Sequence, residues 1–176
     1  MPLYDFEGKK PVIGKDSFVH PQAVLIGEVV IGKNCYIGAG AVLRGDYGKI
    51  IVENGSNIQD NATLHAEPGT EAVVSENALI GHAAIVHGPC NIGQNSVIGM
   101  GSVVNTGCQI GPESLLAAGS VLPPNKTVPS RKIAMGNPAR IVKDLDENML
   151  NYNKAAVKIY QDLAERYLKG LKLIKE

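Results

Sequence analysis

A period of six runs through most of this chain and decides what it can fold into. Aliphatic residues return every sixth position at Ile13, Val19, Leu25, Ile31, Ile37 and Leu43, and again at Val52, Ile58 and Leu64. A third series runs Val74, Ile80, Val86, Ile92, Ile98, Val104, Ile110, Leu116, Leu122 and Val128. Four places after an anchor the residue is usually small, as at Ala23, Cys35, Ala41, Ser56, Ala78, Cys90, Ser102 and Cys108. A helix repeats at 3.6 residues and a strand at 2, so neither generates this pattern. Repeats of one short unit instead predict an all-β body in which each unit buries its inner face only by stacking on the next.

The hexads resemble those of the hexapeptide-repeat proteins. That resemblance implies a left-handed parallel β-helix with three hexads per turn; the handedness comes from the resemblance and not from the period. Two breaks interrupt the register. Leu43 to Val52 carries three extra residues around Gly45-Asp46-Tyr47-Gly48, and Leu64 to Val74 carries four around Glu67-Pro68-Gly69-Thr70. Both read as loops flanking the histidines, and loops on a rigid scaffold are where chemistry concentrates. The pattern fades through Gly136-Asn137-Pro138-Ala139-Arg140, which divides a coil over 1–140 from a C-terminal segment over 141–176. In that segment Asp146 is a candidate N-cap, and Met149, Tyr152, Ala156, Ile159, Leu163, Tyr167 and Leu171 recur at helical spacing. They predict one amphipathic α-helix packed on the coil or on a neighbouring subunit.

Composition agrees with a coil of narrow aliphatic layers: Gly reaches 20, aromatics only 5%, and Trp is absent. Seventeen basic residues balance seventeen acidic ones, so no net field draws the chain to nucleic acid or to an anionic membrane. The N-terminal Met1-Pro2-Leu3-Tyr4-Asp5 lacks a basic region followed by an apolar one, and no apolar run approaches the ~20 residues of a membrane span. These features predict a cytoplasmic protein. The three cysteines form no CxxC pair. Cys90 and Cys108, three hexads apart, are expected to stack as buried thiols.

Three of the four histidines gather around the breaks: His65, His82 and His87. Neutral imidazole is the commonest protein ligand for zinc, and three nitrogens with one open position suit a catalytic metal. With the breaks looped out, Leu43, Leu64 and Val86 are three hexads apart, so Arg44, His65 and His87 form one column with neighbours ~4.8 Å apart. His82 lies on the preceding side, above Asp60. His65 and His87 are then neighbours, and the third ligand must come from around a corner or from a second copy. His20 has no such partner and reads as a surface residue.

Arg44-Gly45-Asp46, Asn57-Ile58-Gln59-Asp60-Asn61, His65, and His82 followed by His87-Gly88 together resemble the gamma-class carbonic anhydrase family. The likeness runs from about Val12 to Arg140 and is strongest to the shorter branch, which includes carnitine-operon and phenylacetate-degradation accessory proteins and those labelled ferripyochelin-binding. It implies a homotrimer that binds zinc, with iron(II) or cobalt as alternatives, through two histidines of one chain and one of the next. It further implies an ion pair between Arg44 and Asp60 across the subunit boundary, with Asp46 as a second interface acid. Gln59 matches the amide that orients metal-bound water, and Asn57 lies beside it.

One departure bears on turnover. The best-studied type of that family carries a long acidic loop with a proton-shuttling glutamate after the first histidine, whereas here the interval holds only Glu67-Pro68-Gly69-Thr70-Glu71. Glu67 is the local candidate for that role. The leading expectation is a metal-dependent lyase that hydrates carbon dioxide to bicarbonate. The alternatives are a hexapeptide-repeat acyltransferase using acyl-CoA, a CoA-thioester hydrolase, or a metal-binding relative of low activity.

Overall fold

The computed structural model describes residues 3–174, so positions 175–176 of the expected helical segment and 1–2 of the coil lie outside the described residues. The hexads form a left-handed coil with three flat faces, as the period and the resemblance predict. On the first face the inward column is Leu3, Leu25, Leu43, Leu64, Val86, Val104 and Leu122. On the second it is Ile13, Ile31, Val52, Val74, Ile92, Ile110 and Val128. On the third it is Val19, Ile37, Ile58, Ile80, Ile98, Leu116 and Ala134. Every one of these ladders is parallel, and the anchors from Leu25 to Leu116 form one continuous buried core. The small residues four places on are buried at the corners, where a larger side chain would force the turn open. Serine suits these positions only because its hydroxyl finds a carbonyl: Ser56 Oγ donates to Ser75 at 2.8 Å and Ser102 Oγ to Ala117 at 2.9 Å.

The first break is not a loop. Residues Val42–Val52 form one continuous extended segment, and the extra residues are absorbed where pairing with Val24–Ile31 shifts register between Gly27 and Val29. Gly45 is required there, because a Cβ would stand 2.4 Å from the Glu28 carbonyl oxygen. The second break is a turn on the same corner one level on, and the Gly69 N–H donates to the Tyr47 carbonyl at 3.3 Å. Stacking the two insertions leaves the ladders on either side intact.

The coil ends in an antiparallel pair, Lys132–Gly136 with Ala139–Asp144, and the second of these strands runs through the expected division at residue 140. Helix α1 follows over Glu147–Gly170, and Asp146 caps it by accepting from the Met149 N–H at 2.8 Å. It packs on the third face and runs back along the whole stack. Leu150 meets Ile133, Val157 meets Leu79 and Val97, and Ala164 sits with Phe18 and Tyr36. Of the expected stripe, Met149, Ala156, Leu163 and Tyr167 pack against the coil, but the most buried line is rotated onto Leu150, Asn153, Val157 and Ala164, and Tyr152 and Ile159 are 75% and 64% exposed. Shape sets the rotation, because the rings of Phe18 and Tyr36 on the coil and of Tyr167 on the helix crowd the contact and a small residue such as Ala164 fits among them.

All three cysteines are free and buried. Burial, and secondarily the neighbouring Cys108, pushes the Cys90 thiol up to about 12, and burial also raises Cys35 and Cys108. A thiol raised in this way stays protonated up to its shifted pKa, so native protein at pH 8 should not react with a disulfide reagent and should release three thiols on unfolding. Early reaction would contradict the packing. Truncating the fully buried Ile98 to Ala, between Ile80 and Leu116, should cost about 2–5 kcal/mol in denaturant unfolding.

Candidate functional site

Residues flanking an inward anchor on a flat face point outward. On the first face the outward column after the anchors is Ile26, Arg44, His65 and His87, fixed by backbone pairing at every step. The two imidazoles are therefore neighbours, with ring centroids 5.3 Å apart at 64°. The extended insertion carries Asp46 back over this column. Its Oδ1 lies 2.9 Å from His65 Nε2 and its Oδ2 accepts from Arg44 Nη1 at 2.7 Å. Partial burial would push the Asp46 carboxyl up, but hydrogen bonds from Arg44, His65 and the Tyr47 N–H outweigh it and hold the group below its ordinary value. Asp46 is thus an anionic brace that fixes one nitrogen of His65.

His82 occupies the corner between the third and first faces, two residues after the anchor Ile80. The next residue, Ala83, turns the corner with φ of 56°, where Gly40, Asn61, Gly101 and Gly119 do so at other levels. The ladder holds the corner on both sides: the Ala83 N–H donates to the Asp60 carbonyl at 2.9 Å, and the His82 carbonyl accepts from Gly101 at 2.8 Å. Gln59 is 4% exposed and Asn57 1%. Gln59 Oε1 accepts from the His82 N–H at 3.2 Å, while its Nε2 donates to Asn57 Oδ1 at 3.1 Å. The imidazole itself lies between two groups, with Asp60 Oδ2 3.4 Å from Nδ1 and the Tyr160 hydroxyl 3.3 Å from Nε2.

Tyr160 is the residue the sequence reading missed. It comes from α1, 78 positions away, and lies off the stripe expected to face the coil. Burial, with Asp60 and Tyr167 adding to it, raises the Tyr160 phenol, so it stays a hydrogen-bond donor at neutral pH.

The chain thus holds two separate clusters. His65, His87, Asp46 and Arg44 stand together on the first face; His82, Gln59, Asn57 and Asp60 stand together around the corner. Among the described residues no three His, Cys, Asp or Glu side chains converge on one point within the chain. Arg44 pairs with Asp46 in its own chain. Glu67 is exposed on the turn two residues past His65, and among the described residues no hydrogen bond or ion pair joins its carboxylate to the histidines. His20 makes a local contact only, accepting from the Gln22 N–H at 3.1 Å.

The first face also carries a second outward column, Val24, Val42, Thr63, Ile85, Val103 and Val121, beside the histidines. Ile85 is 46% exposed and the others half-buried, and no element among the described residues lies over them as α1 lies over the third face. No helix among the described residues is long and apolar enough to cross a membrane.

Comparison with known proteins finds the six-repeat bacterial transferase hexapeptide family over residues 10–45 and 89–124, and the hexapeptide repeat of succinyl-transferase over 28–66. The carnitine operon protein CaiE of Salmonella newport is 45% identical over 171 residues, covering 97% of this chain and 86% of that protein. A hexapeptide transferase family protein from Anaplasma phagocytophilum superposes with a TM-score of 0.90 at 37% identity, over 94% of this chain and 98% of that one. AntD, an N-acyltransferase from Bacillus cereus solved with dTDP and 3-hydroxybutyryl-CoA, shares the fold at 18% identity and a TM-score of 0.69, over 84% and 90% of the two chains.

Proposed function

Because this chain belongs to the bacterial hexapeptide-repeat family, in the branch of the carnitine operon protein CaiE, we propose that it is an enzyme whose site forms between copies of the chain. His65 and His87 of one copy would join His82 of the next around a zinc-class cation, and the substrate would be a small carbonyl compound, carbon dioxide first. The observation that carries this reading is the division of the histidines. Two share one outward column, the third stands around a corner, and among the described residues no third ligand of the same chain is at hand.

The donor set fits such a cation. Imidazoles that bind metals commonly give their other nitrogen to a carboxylate, and here Asp46 faces His65 and Asp60 faces His82. A bound divalent cation supplies Lewis acidity, which lowers the pKa of water and polarises a carbonyl oxygen. The chain's own residues supply position. Arg44 fixes Asp46 and Asp46 fixes the His65 ring. Gln59 and Asn57 hold the backbone of the His82 corner, and the Tyr160 hydroxyl, 3.3 Å from His82 Nε2, would have to release that nitrogen for His82 to bind a cation. Glu67, exposed near His65, is the acid nearest in sequence for passing protons to solvent.

Assembly follows from the same geometry. The corner bearing His82 and the face bearing His65 and His87 are different patches, so their contact is heterologous and closes only as a ring. Three triangular coils around an axis close it, burying the column of Val42, Ile85 and Val103. Arg44 and Asp60, which do not pair within one chain, would then meet across the boundary. Removing the Asp46 brace, as Asp46→Ala, should weaken zinc affinity about 10–100-fold while the fold persists. Equilibrium dialysis against a competing chelator reads this, and unchanged affinity would dissociate Asp46 from the site.

A second reading, transfer or hydrolysis of an acyl group from a CoA thioester, is favoured by the transferase descriptions of the relatives. Assays of metal-replete protein for carbon dioxide hydration, acyl-CoA hydrolysis and acyl transfer to an amine separate the two. Gln59→Ala should lower whichever activity is present by roughly a hundredfold and leave the metal bound. An unaffected rate would remove Gln59 from the mechanism. Acyl transfer that persists in chelated protein, with no hydration at all, would replace the first reading by the second.

A further inference from the structure

The second face neither carries the histidines nor lies under α1. Its outward column begins with four aliphatic residues at successive levels, Val12, Val30, Ile51 and Val73, and turns polar at Asn91 and Gln109. Val12 is 58% exposed and the next three are half-buried, and no element among the described residues lies over them. Charge frames this row on both sides. Two places before its members stand Lys10, Glu28, Lys49 and Glu71, and three places after them stand Lys15, Lys33, Asn54 and Glu76. Both sets are columns: the ladder pairs Lys49 with Glu71, while Asn54 accepts from the Lys33 N–H at 2.8 Å and donates to Glu76 Oε1 at 3.1 Å. Beyond the fourth level the aliphatic run and the charge stop together, and the flanking places around Asn91 hold Pro89 and Gln94. Lys10 reaches Asp5 at 3.5 Å and Glu28 pairs with Lys9 at 2.6 Å. Lys15, Lys33, Lys49, Glu71 and Glu76 make no ion pair among the described residues.

Each column is basic at its first level and acidic at its fourth, and this decides what the face complements. Consider a twofold axis in the plane of contact, perpendicular to the coil and level with the gap between Val30 and Ile51. It reverses the order of levels, so Val12 meets Val73 and Val30 meets Ile51 of a second copy. The same rotation sets Lys10 against Glu71, Glu28 against Lys49 and Lys15 against Glu76. A parallel arrangement sets Lys10 against Lys15 and Glu71 against Glu76, and like charges disfavour it. We propose that the second face docks on the second face of another copy of this chain, antiparallel about that axis. The contact is isologous, so one partner saturates each face. It uses no residue of the histidine clusters and rests on neither reading of them. Four levels span about 15 Å, which is small for a specific interface, so the association is reversible and concentration-dependent. The exposed charges set its orientation and make it sensitive to salt.

Sedimentation of the full-length protein over a concentration series tests this. Wild type should gain mass reversibly as concentration rises at low salt, and high salt should suppress the gain. Chains carrying Lys10→Glu with Lys15→Glu present carboxylates at all four outer positions, and chains carrying Glu71→Lys with Glu76→Lys present ammonium groups there. Each double variant should associate about tenfold more weakly than wild type by itself, and an equimolar mixture should recover. Adding Ile51→Asp to both members should abolish the recovery, which bare attraction between oppositely charged chains would not. A short thiol cross-linker reads the orientation, the native cysteines being buried. Val12→Cys chains should join Val73→Cys chains and should not join one another. A mass independent of concentration, no recovery on mixing, recovery that survives Ile51→Asp, or cross-links among Val12→Cys chains alone would each overturn the proposal.

Discussion

The backbone ladder between successive coils is the interaction on which the rest of this molecule depends. Each level donates to and accepts from its neighbours in parallel register, so a residue's place in the hexad fixes both its direction and what lies above and below it. Side chains in one column stand about 4.8 Å apart whatever they are, because the ladder sets that spacing. Inward columns therefore become a continuous aliphatic core. Outward columns become rows, and a row is how Arg44, His65 and His87 come together. The same rigidity limits the chemistry of one chain: a flat wall presents two adjacent imidazoles but cannot bend a third toward them.

The corners and the three outer surfaces divide the remaining work. Extra residues enter at one corner, where the register shift near Gly27 and the turn at Pro68-Gly69 stack without breaking a ladder, and this supplies Asp46 and Tyr47 to His65. The third face is closed by α1, which brings Tyr160 to His82 and leaves a groove leading from it. The first face keeps its aliphatic column uncovered beside the histidines. On the proposed reading, a copy of the chain covers this row and brings its own His82 to the His65 and His87 pair.

Much of this was legible in the sequence because a hexad repeat converts residue number into three-dimensional position. Counting hexads gave the Arg44, His65, His87 column and the separate place of His82 above Asp60, as well as the buried neighbours Cys90 and Cys108. What depended on contacts between different kinds of element was not legible. The spacing marks Met149, Ala156, Leu163 and Tyr167, which do pack on the coil, but it also takes in Tyr152 and Ile159, which do not, and it passes over Leu150, Val157 and Ala164. The rings of Phe18 and Tyr36, more than 100 residues away, set that rotation. For the same reason Tyr160 gave no signal of its contact with His82. The first insertion was read as a loop because it breaks the period, but extended chain absorbs extra residues wherever a partner strand can shift register.

The central claim is that one site takes its histidines from two chains. Chains carrying His82→Ala keep the first-face pair, and chains carrying both His65→Ala and His87→Ala keep the corner ligand. Each variant should purify without zinc when produced alone. Refolded together and isolated as mixed assemblies under zinc-replete conditions, they should regain metal, because the pair from one meets His82 from the other. Mixed assemblies that form but hold no zinc, or His82→Ala chains that retain it alone, would contradict a site shared between copies.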